Sequence, residues 1–577
     1  MKRIAGFALA VLFAFPIVVG LIGSALPAFG LLPPLASSEG FTELVSDPRF
    51  LPSIYLSLKT AILSTLLVLL LTVVILVCAH GTRLWRWLNG LLPPLLAVPH
   101  AAMAVGLIFL IAPSGWFVRL ISPTFTGWQR PPADWVIPDS GGWSLILGLI
   151  IKETPFLLLA AAAQLPSVKV DAALQIGRTL GYAPARCWSR LILPVLYPRI
   201  RLTLLIILAF NLSVVDMAIL LGPGNPPTFS VFLLSLVNDP GSRAVASAGA
   251  LVLAAGVVFL FALTWLVEKL VAAVAGRRRE SGNRGNALPL WRGIAQVVVV
   301  AGMVLSVTTI VMLVIWSFTR RWRFPHVLPT EWTSMHWTNR IGEFFSPLTT
   351  TVTLALFTSV FALVAAVAWL EFERQNKVPK IDWLWYIPLL IPQVTLLFGW
   401  QAMALVTGTD GKWLSVAYAH WVYAVPYVVL ILAVAWRELD PNWNNAAAVL
   451  GAGYWRVLFR VRLPLLVKPV CQAAAVALAV SVAQYLPTLL LGAGRHQTIA
   501  IELVTSFGGV DRRVIAVLAT VQSILPLVAF ALALWIPRYF RPLDGNSVNG
   551  NSGNGSAGNG RSGQVMQRSD GTQGRPV

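Results

Sequence analysis

Apolar runs long enough to cross a bilayer recur along the whole chain, at about 7–30, 56–79, 90–112, 143–163, 202–222, 245–274, 292–317, 347–370, 384–406, 416–436, 469–491 and 513–537. A helix rises about 1.5 Å per residue, so roughly 20 such residues span the ~30 Å of hydrocarbon. The pattern predicts an all-α polytopic membrane protein with about twelve spans. The first run, MKRIAGFALAVLFAFPIVVG, has the Lys2/Arg3 start of a signal peptide. Its apolar stretch exceeds a signal core and further spans follow, so it is expected to remain as the first helix.

Composition agrees: 57% of residues are hydrophobic and 11% charged. The formal net charge of +20 would suit a nucleic-acid binder, but its distribution follows topology instead. Lys2/Arg3, Arg83/Arg86, Lys169 to Arg201, Arg277 to Arg279, Arg374/Lys377/Lys380, Arg456 to Arg462 and Arg538/Arg541 fall on one side if spans alternate. The positive-inside rule makes that side the cytoplasm, with both termini inside. Arg320, Arg321, Arg323 and Arg340 disagree and would lie outside. Cys78, Cys187 and Cys471 are isolated and suggest neither disulfide nor metal site. The six histidines lack metal-ligand spacing, and most are expected at interfaces or in loops.

The chain repeats itself. QIGRTLGYAPARCWSRLILP (175–194) and NNAAAVLGAGYWRVLFRVRLP (444–464) align on their last proline. They share Leu180/Leu450, Gly181/Gly451, Arg186/Arg456, Arg190/Arg460, Leu193/Leu463 and Pro194/Pro464. At nearly the same spacing Gly222-Pro-Gly224 answers Gly492-Ala-Gly494 and Pro155 answers Pro426, while Pro99 and Gly106 answer Pro392 and Gly399. Two copies of a six-helix unit are implied, at about 1–275 and 291–540, joined by a polar linker at 276–290. An even number of spans per unit sets both copies the same way up, as a parallel repeat. The Gly/Asn/Ser tract in 541–577 has nothing to bury and is expected to be disordered.

The repeated motif predicts a helix, a glycine turn and a second helix. Asp440-Pro441 offers an N-cap followed by proline at the first helical position. A short helix through Asn445, Ala446 and Ala447 then ends at Gly451 in the left-handed conformation. Arg456 and Arg460 follow on one face, and Leu463-Pro464 is expected to stop the helix. Such an elbow suits docking into a cleft on another protein. A loop that snorkels its arginines to anionic lipid is the plainer alternative.

Asn445-Ala446-Ala447, Gly451 and Leu463-Pro464 resemble the coupling loop of ABC-importer permeases, which runs Glu-Ala-Ala, three residues, Gly, then about twelve residues to Leu-Pro. Two such units in one chain resemble the fused permeases of iron(III) and thiamine importers. The likeness covers 1–540 and implies coupling loops at about 166–198 and 440–467. Neither copy has the glutamate. The second has Asn445; the first offers Gln175 when counted back from Pro194, or Asp171 when counted forward from Pro166. The resemblance implies that each loop docks one copy of an ATPase dimer, whose ATP-driven closure switches the permease from inward- to outward-facing. An extracytoplasmic binding protein would deliver the solute, and the site of action would be the bacterial inner membrane. The coupling residues would be Asp171 or Gln175, with Gly181, Arg186, Arg190, Pro194, Asn445, Ala446, Ala447, Gly451, Arg456, Arg460 and Pro464.

No phosphate-binding G-x-x-x-x-G-K-[ST] loop occurs, since Gly411-Lys412 is followed by tryptophan. ATP is therefore expected on a partner, with no cofactor, catalytic residue or metal in this chain. Lys152, Glu153, Asp216, Gln484 and Tyr485 lie within or beside apolar runs and are expected to line a path between the halves; locking helices together is the alternative. Lys152 and Glu153 point about 100° apart on a helix and are expected to pair elsewhere. Pro155, Pro426, Pro99 and Pro392 are expected to kink spans. Trp116, Trp128, Trp135, Trp322, Trp332 and Trp337 populate two outer loops and suit an interfacial belt or a binding-protein contact. An ion-coupled secondary transporter of two six-helix halves is the rival reading. It would use Asp216, Glu153 or Lys152 for coupling and needs no docking elbow.

Overall fold

A computed structural model describes residues 2–30, 39–237, 239–279, 289–376, 382–440 and 442–539. Residues 280–288 of the expected linker, Lys377, Lys380, Pro441 and the expected disordered tail lie outside the described residues. Among the described residues, ten helices are long and apolar enough to cross a membrane. Two bent helix pairs, 383–390 with 393–407 and 454–465 with 467–483, bring the number to as many as twelve if each pair is one span. The chain is a multi-pass all-α membrane protein; among the described residues, the strands are a short antiparallel pair, Thr319–Arg321 with Glu331–Trp332. That hairpin sets Arg320 and Arg321 within 3.7 and 3.6 Å of Glu331.

The spans are broken where the sequence predicts continuous helices. The run 90–112 divides at Val98, extended at ψ 125°, into helices Arg83–Ala97 and His100–Ile111. Pro99 cannot donate to a preceding carbonyl and drives its neighbour out of the helical region. Pro392 does the same between Asp382–Leu390 and Gln393–Thr407, and the two helices meet at 88°. Both prolines therefore stand before a new helix instead of bending one, whereas Pro155 and Pro426 lie inside Trp143–Val168 and Trp413–Glu438. The run 202–222 ends as a helix at Ser213, passes through Val214 and Val215, and resumes over Asp216–Leu221. The run 469–491 breaks identically at Gln484 and Tyr485.

The two halves repeat contacts as well as elements. The amide of Phe229 donates to Ser57 Oγ at 2.7 Å, and the amide of Ile499 to Thr351 Oγ1 at 2.9 Å. Their first helices cross over. Lys2–Ala28 packs on Gln393–Thr407 of the second half, and Pro289–Ser317 packs on His100–Ile111 of the first. Glycine makes both crossings possible. A Cβ on Gly399 would stand 1.7 Å from the Gly20 carbonyl oxygen, and one on Gly106 2.5 Å from that of Thr309. Helices in lipid gain little from burying apolar surface against each other, so close backbone approach through small residues does the holding. Ser24 Oγ adds a bond to the Thr395 carbonyl at 2.7 Å. The echo of Gly106 in Gly399 thus has a packing cause. One continuous core runs through both halves, from Phe13 to Ala519.

Candidate functional site

Each half carries an elbow. The first elbow consists of Val170–Thr179, a turn at Gly181, and a second arm from Pro184 to Ile192. The second consists of Asn442–Val449, Gly451, and Tyr454 to Arg462. Gly181 and Gly451 have φ of 77° and 75°, in the left-handed region where a Cβ is penalised. The amides of Tyr182 and Ala452 reach back to the carbonyls of Gly177 and Ala447 at 2.9 and 3.0 Å, the closure of a Schellman turn.

Leu193-Pro194 and Leu463-Pro464 do not stop the second arm. The helix passes through them by way of a π turn, with the amides of Leu193 and Leu463 bonded five residues back to Trp188 and Leu458. A proline has no N–H to give, and one extra residue in the turn absorbs the missing bond. The second arm then bends by 80° at Leu466, whereas the first continues as Leu193–Ser213. Asp171 and Gln175 lie on the same short helix, both exposed, as are Gly181, Asn445, Ala446, Gly451, Arg456 and Arg460. Aligned on the glycine turns, Gln175 takes the place of Asn445, and Asp171 lies in the first turn. Arg186 and Arg190 are half-buried, with Arg190 stacked 5.9 Å from the Tyr182 ring centre.

At membrane depth the structure brings Lys152, Glu153 and Asp216 together. Asp139 starts the helix of Lys152 and Glu153: its carboxylate accepts from the amides of Trp143 and Ser144 at 2.9 and 2.8 Å and from Ser144 Oγ at 2.6 Å. Burial works against the Asp139 charge, yet these donors hold its carboxyl below the usual range. Lys152 and Glu153, each 5% exposed, pair apart from one another. Lys152 donates to the carbonyls of Leu96, Leu95 and Val98, the groups left open where Pro99 ends a helix. Glu153 Oε1 lies 3.0 Å from His100 Nε2. Asp216 lies within the field of His100 and Lys152. Two tyrosines of the second half lie within the field of these carboxylates, Tyr485 of Asp216 and Tyr427 of Glu153. Gln484 turns away, donating to the His420 carbonyl at 3.1 Å.

Sequence reasoning missed His100 and Tyr427, whose membership depends on contacts between distant helices. His420 is an exception to the expectation that most histidines lie at interfaces or in loops. That residue is buried inside a span, 2.8 Å from both Ser481 Oγ and Thr488 Oγ1. Both ring nitrogens thus have partners, which removes the cost of burial. Two of the outer tryptophans are structural: Trp322 is buried under the Arg119 guanidinium at 4.9 Å, and Trp337 stacks on Phe318 at 5.5 Å. Among the described residues no three His, Cys, Asp or Glu side chains cluster as metal ligands.

Comparison with known proteins adds a family to this geometry. Residues 378–543 match the family described as binding-protein-dependent transport system inner membrane component. The inner membrane ABC transporter permease protein YnjC of Escherichia coli K12 is 31% identical over 517 residues, which cover 89% of this chain and 93% of that one. A putative 2-aminoethylphosphonate transport system permease protein, PhnV of Salmonella choleraesuis SC-B67, is 26% identical over 267 residues, 44% of this chain and 97% of its own length. The putrescine transport system permease protein PotI of Escherichia coli K12 is 28% identical over 199 residues, covering 31% of this chain and 68% of that one.

Proposed function

Because the chain belongs to the inner-membrane permeases of binding-protein-dependent ABC transport systems, we propose that its two elbows each dock one copy of a separate ATPase subunit. The observation that carries this reading is the duplicated elbow, with one backbone conformation and one copy per half. An ATPase dimer has two clefts to fill, and two matched elbows fit that symmetry. In this reading the permease halves are 1–275 and 291–540, and both termini and elbows face the cytoplasm. The contact residues are Asp171 or Gln175, Gly181, Arg186, Arg190, Pro194, Asn445, Ala446, Ala447, Gly451, Arg456, Arg460 and Pro464. ATP is bound by the partner, and this chain contributes no catalytic group.

The opposite face receives a small solute from a binding protein. Lys152, Glu153, Asp216 and Tyr485, with His100 and Tyr427, line the path between the halves. Their setting supports this role, since ionisable groups at membrane depth are costly and here Tyr485 and Tyr427 of the second half lie within the field of Asp216 and Glu153 of the first. Closure of the ATPase dimer draws the elbows together and switches access from one face to the other. The relatives' printed solutes, 2-aminoethylphosphonate and putrescine, set the scale of the cargo: a small polar molecule.

The test is affinity purification of the full-length chain from its own membranes, with mass spectrometry of what accompanies it. A stoichiometric ATPase that is lost when Gly181 and Gly451 are both replaced by valine is the expected result. A chain that purifies alone and transports on an ion gradient without ATP would overturn the reading in favour of a secondary transporter.

A further inference from the structure

At the elbow end of the helix Ile341–Asn376, a carboxylate lies buried among four donors. Glu371 and Arg462 are each 3% exposed and paired, Arg462 Nη1 donating to Glu371 Oε1. The other oxygen, Oε2, accepts from Arg374 Nη2 at 3.0 Å, Tyr454 OH at 3.2 Å and Gln375 Nε2 at 3.3 Å. Two residues on, Glu373 takes Arg437 in a two-pronged pair at 2.8 and 2.7 Å, which fastens the end of Trp413–Glu438 to the same helix. Tyr454 and Arg462 are the two ends of the second elbow's second arm. Glu371 therefore grips that arm at both ends.

The clamp continues into the body of the protein. Thr351, 20 residues before Glu371 on the same helix, receives the Ile499 amide. At 1.5 Å per residue the two contacts stand ~30 Å apart, about the thickness of the hydrocarbon. In the first half, the matched Ser57 contact puts Val77 at the place of Glu371, and the constant spacing puts Pro184 and Ile192 at those of Tyr454 and Arg462. None of these can form an ion pair.

We propose that Glu371 is a positioning residue for transport. It makes the second arm of the second elbow and the helix Ile341–Asn376 one rigid body, so that displacement of this elbow is carried along that helix to the opposite face of the membrane. In the first half a carboxylate tie lies farther along, beyond the second arm, where Glu268 of the helix Arg243–Arg279 accepts from Tyr197 OH at 2.6 Å and Arg201 Nε at 2.9 Å. A charged pair out of water holds one geometry more strictly than apolar contact does, because leaving it strands both charges. The proposal rests on the reading that an ATPase docks at the elbows, but the clamp itself can be tested without that partner.

The experiment uses the full-length chain in lipid nanodiscs, alone and with its co-purified ATPase, as wild type, Glu371→Gln and Glu371→Asp. Alone, trypsin cleavage after Arg456 and Arg460 is followed by mass spectrometry, with cleavage after Arg178 of the first elbow as the internal reference. Loss of one charge from a buried pair is expected to speed cleavage of the second elbow about tenfold and leave the first unchanged. The aspartate, which keeps the charge, should restore most of the protection. With the ATPase, the glutamine variant is expected to lower the ATP turnover of the complex about tenfold without changing its KM for ATP, since the nucleotide site is untouched. Unchanged cleavage at Arg456 and Arg460 overturns the clamp. Faster cleavage with unchanged turnover, or equal loosening of both elbows, reduces Glu371 to a structural residue and overturns the positioning role. If no ATPase accompanies the wild-type chain, the docking reading fails while the cleavage comparison still decides the clamp.

Discussion

Trp188 and Ile192 of the first elbow stand where Leu458 and Arg462 stand in the second, at a constant spacing along the chain. The backbones match there down to the π turn, yet the foundations differ. Under the first elbow, Trp188 and Ile192 join Leu88, Leu92, Leu165 and Leu196 in an apolar cluster separate from the main core. The His80 ring meets Trp188 edge-on at 5.7 Å, and Gly177 lets Cys187 lie against the first arm. Under the second, Arg462 is paired with Glu371. Backbone shape at an elbow is thus set by glycine and proline, while its stiffness is set by whichever side chains lie beneath. The same motif can be mounted on oil or on charge.

The largest effect is expected from Arg462→Leu, which leaves Glu371 buried without its closest cation and should cost about 3–5 kcal/mol locally. Hydrogen exchange over 454–465 would register this, and the double change with Glu371→Leu should recover most of it. A volume-conserving Ile192→Leu at the corresponding site should cost less than about 1.5 kcal/mol. Should the two variants loosen their elbows equally, the foundations are equivalent after all. Next comes Trp188→Ala. Removing this 2% exposed ring should destabilise the first elbow by about 3–5 kcal/mol through lost contacts and a cavity, with exchange in the second unaffected.

Smaller and symmetric, Gly181→Ala and Gly451→Ala should each cost about 1–2 kcal/mol for a left-handed residue with a Cβ. Equality is the sharp part of that expectation, because φ is nearly the same at both and a Cβ on Gly451 would meet nothing within 4 Å. A clear inequality between the two, measured as shifts in thermal midpoint, would show that the turns themselves differ. The smallest effect belongs to Arg374→Gln. Its side chain is 38% exposed, and pairs of that kind contribute about 0–1 kcal/mol, less at high salt. A loss as large as that of Arg462→Leu would relocate the clamp to the surface pair.

Much of this architecture was legible in the chain. Span number followed from the length of apolar runs, the two tandem units from matched glycines, prolines and arginines, and the left-handed turns from glycines that end short helices. Span boundaries were less legible at Val98, Val214 and Gln484, because hydropathy does not see a backbone break inside an apolar run. The expectation that Leu-Pro would end a helix failed for a related reason. A missing N–H can be absorbed by a π turn as well as by termination, and the residues around Pro194 and Pro464 do not distinguish the two.

The sites divide along the same line. Lys152 and Glu153 stood out because charge in an apolar run is conspicuous, and their separate pairing followed from helix geometry. His100, Tyr427 and Glu371 did not stand out. A histidine after a proline, a tyrosine in a span and a glutamate beside arginines near a helix end are ordinary in any membrane protein. Their decisive partners are distant, 53 residues between His100 and Glu153 and 91 between Glu371 and Arg462, and no local pattern names them.

The sequence by itself determined the twelve apolar spans, the duplication and the glycine turn of each elbow, because transfer into lipid and the φ of a single residue are local quantities. Only the tertiary structure decided that the first helices cross between halves at Gly399 and Gly106, that Lys152 serves an open helix end, and that Glu371 holds the second elbow while apolar side chains hold the first. Those outcomes depend on which distant groups meet in a low-dielectric interior, where an unpaired charge or an extra methyl group excludes every arrangement but one.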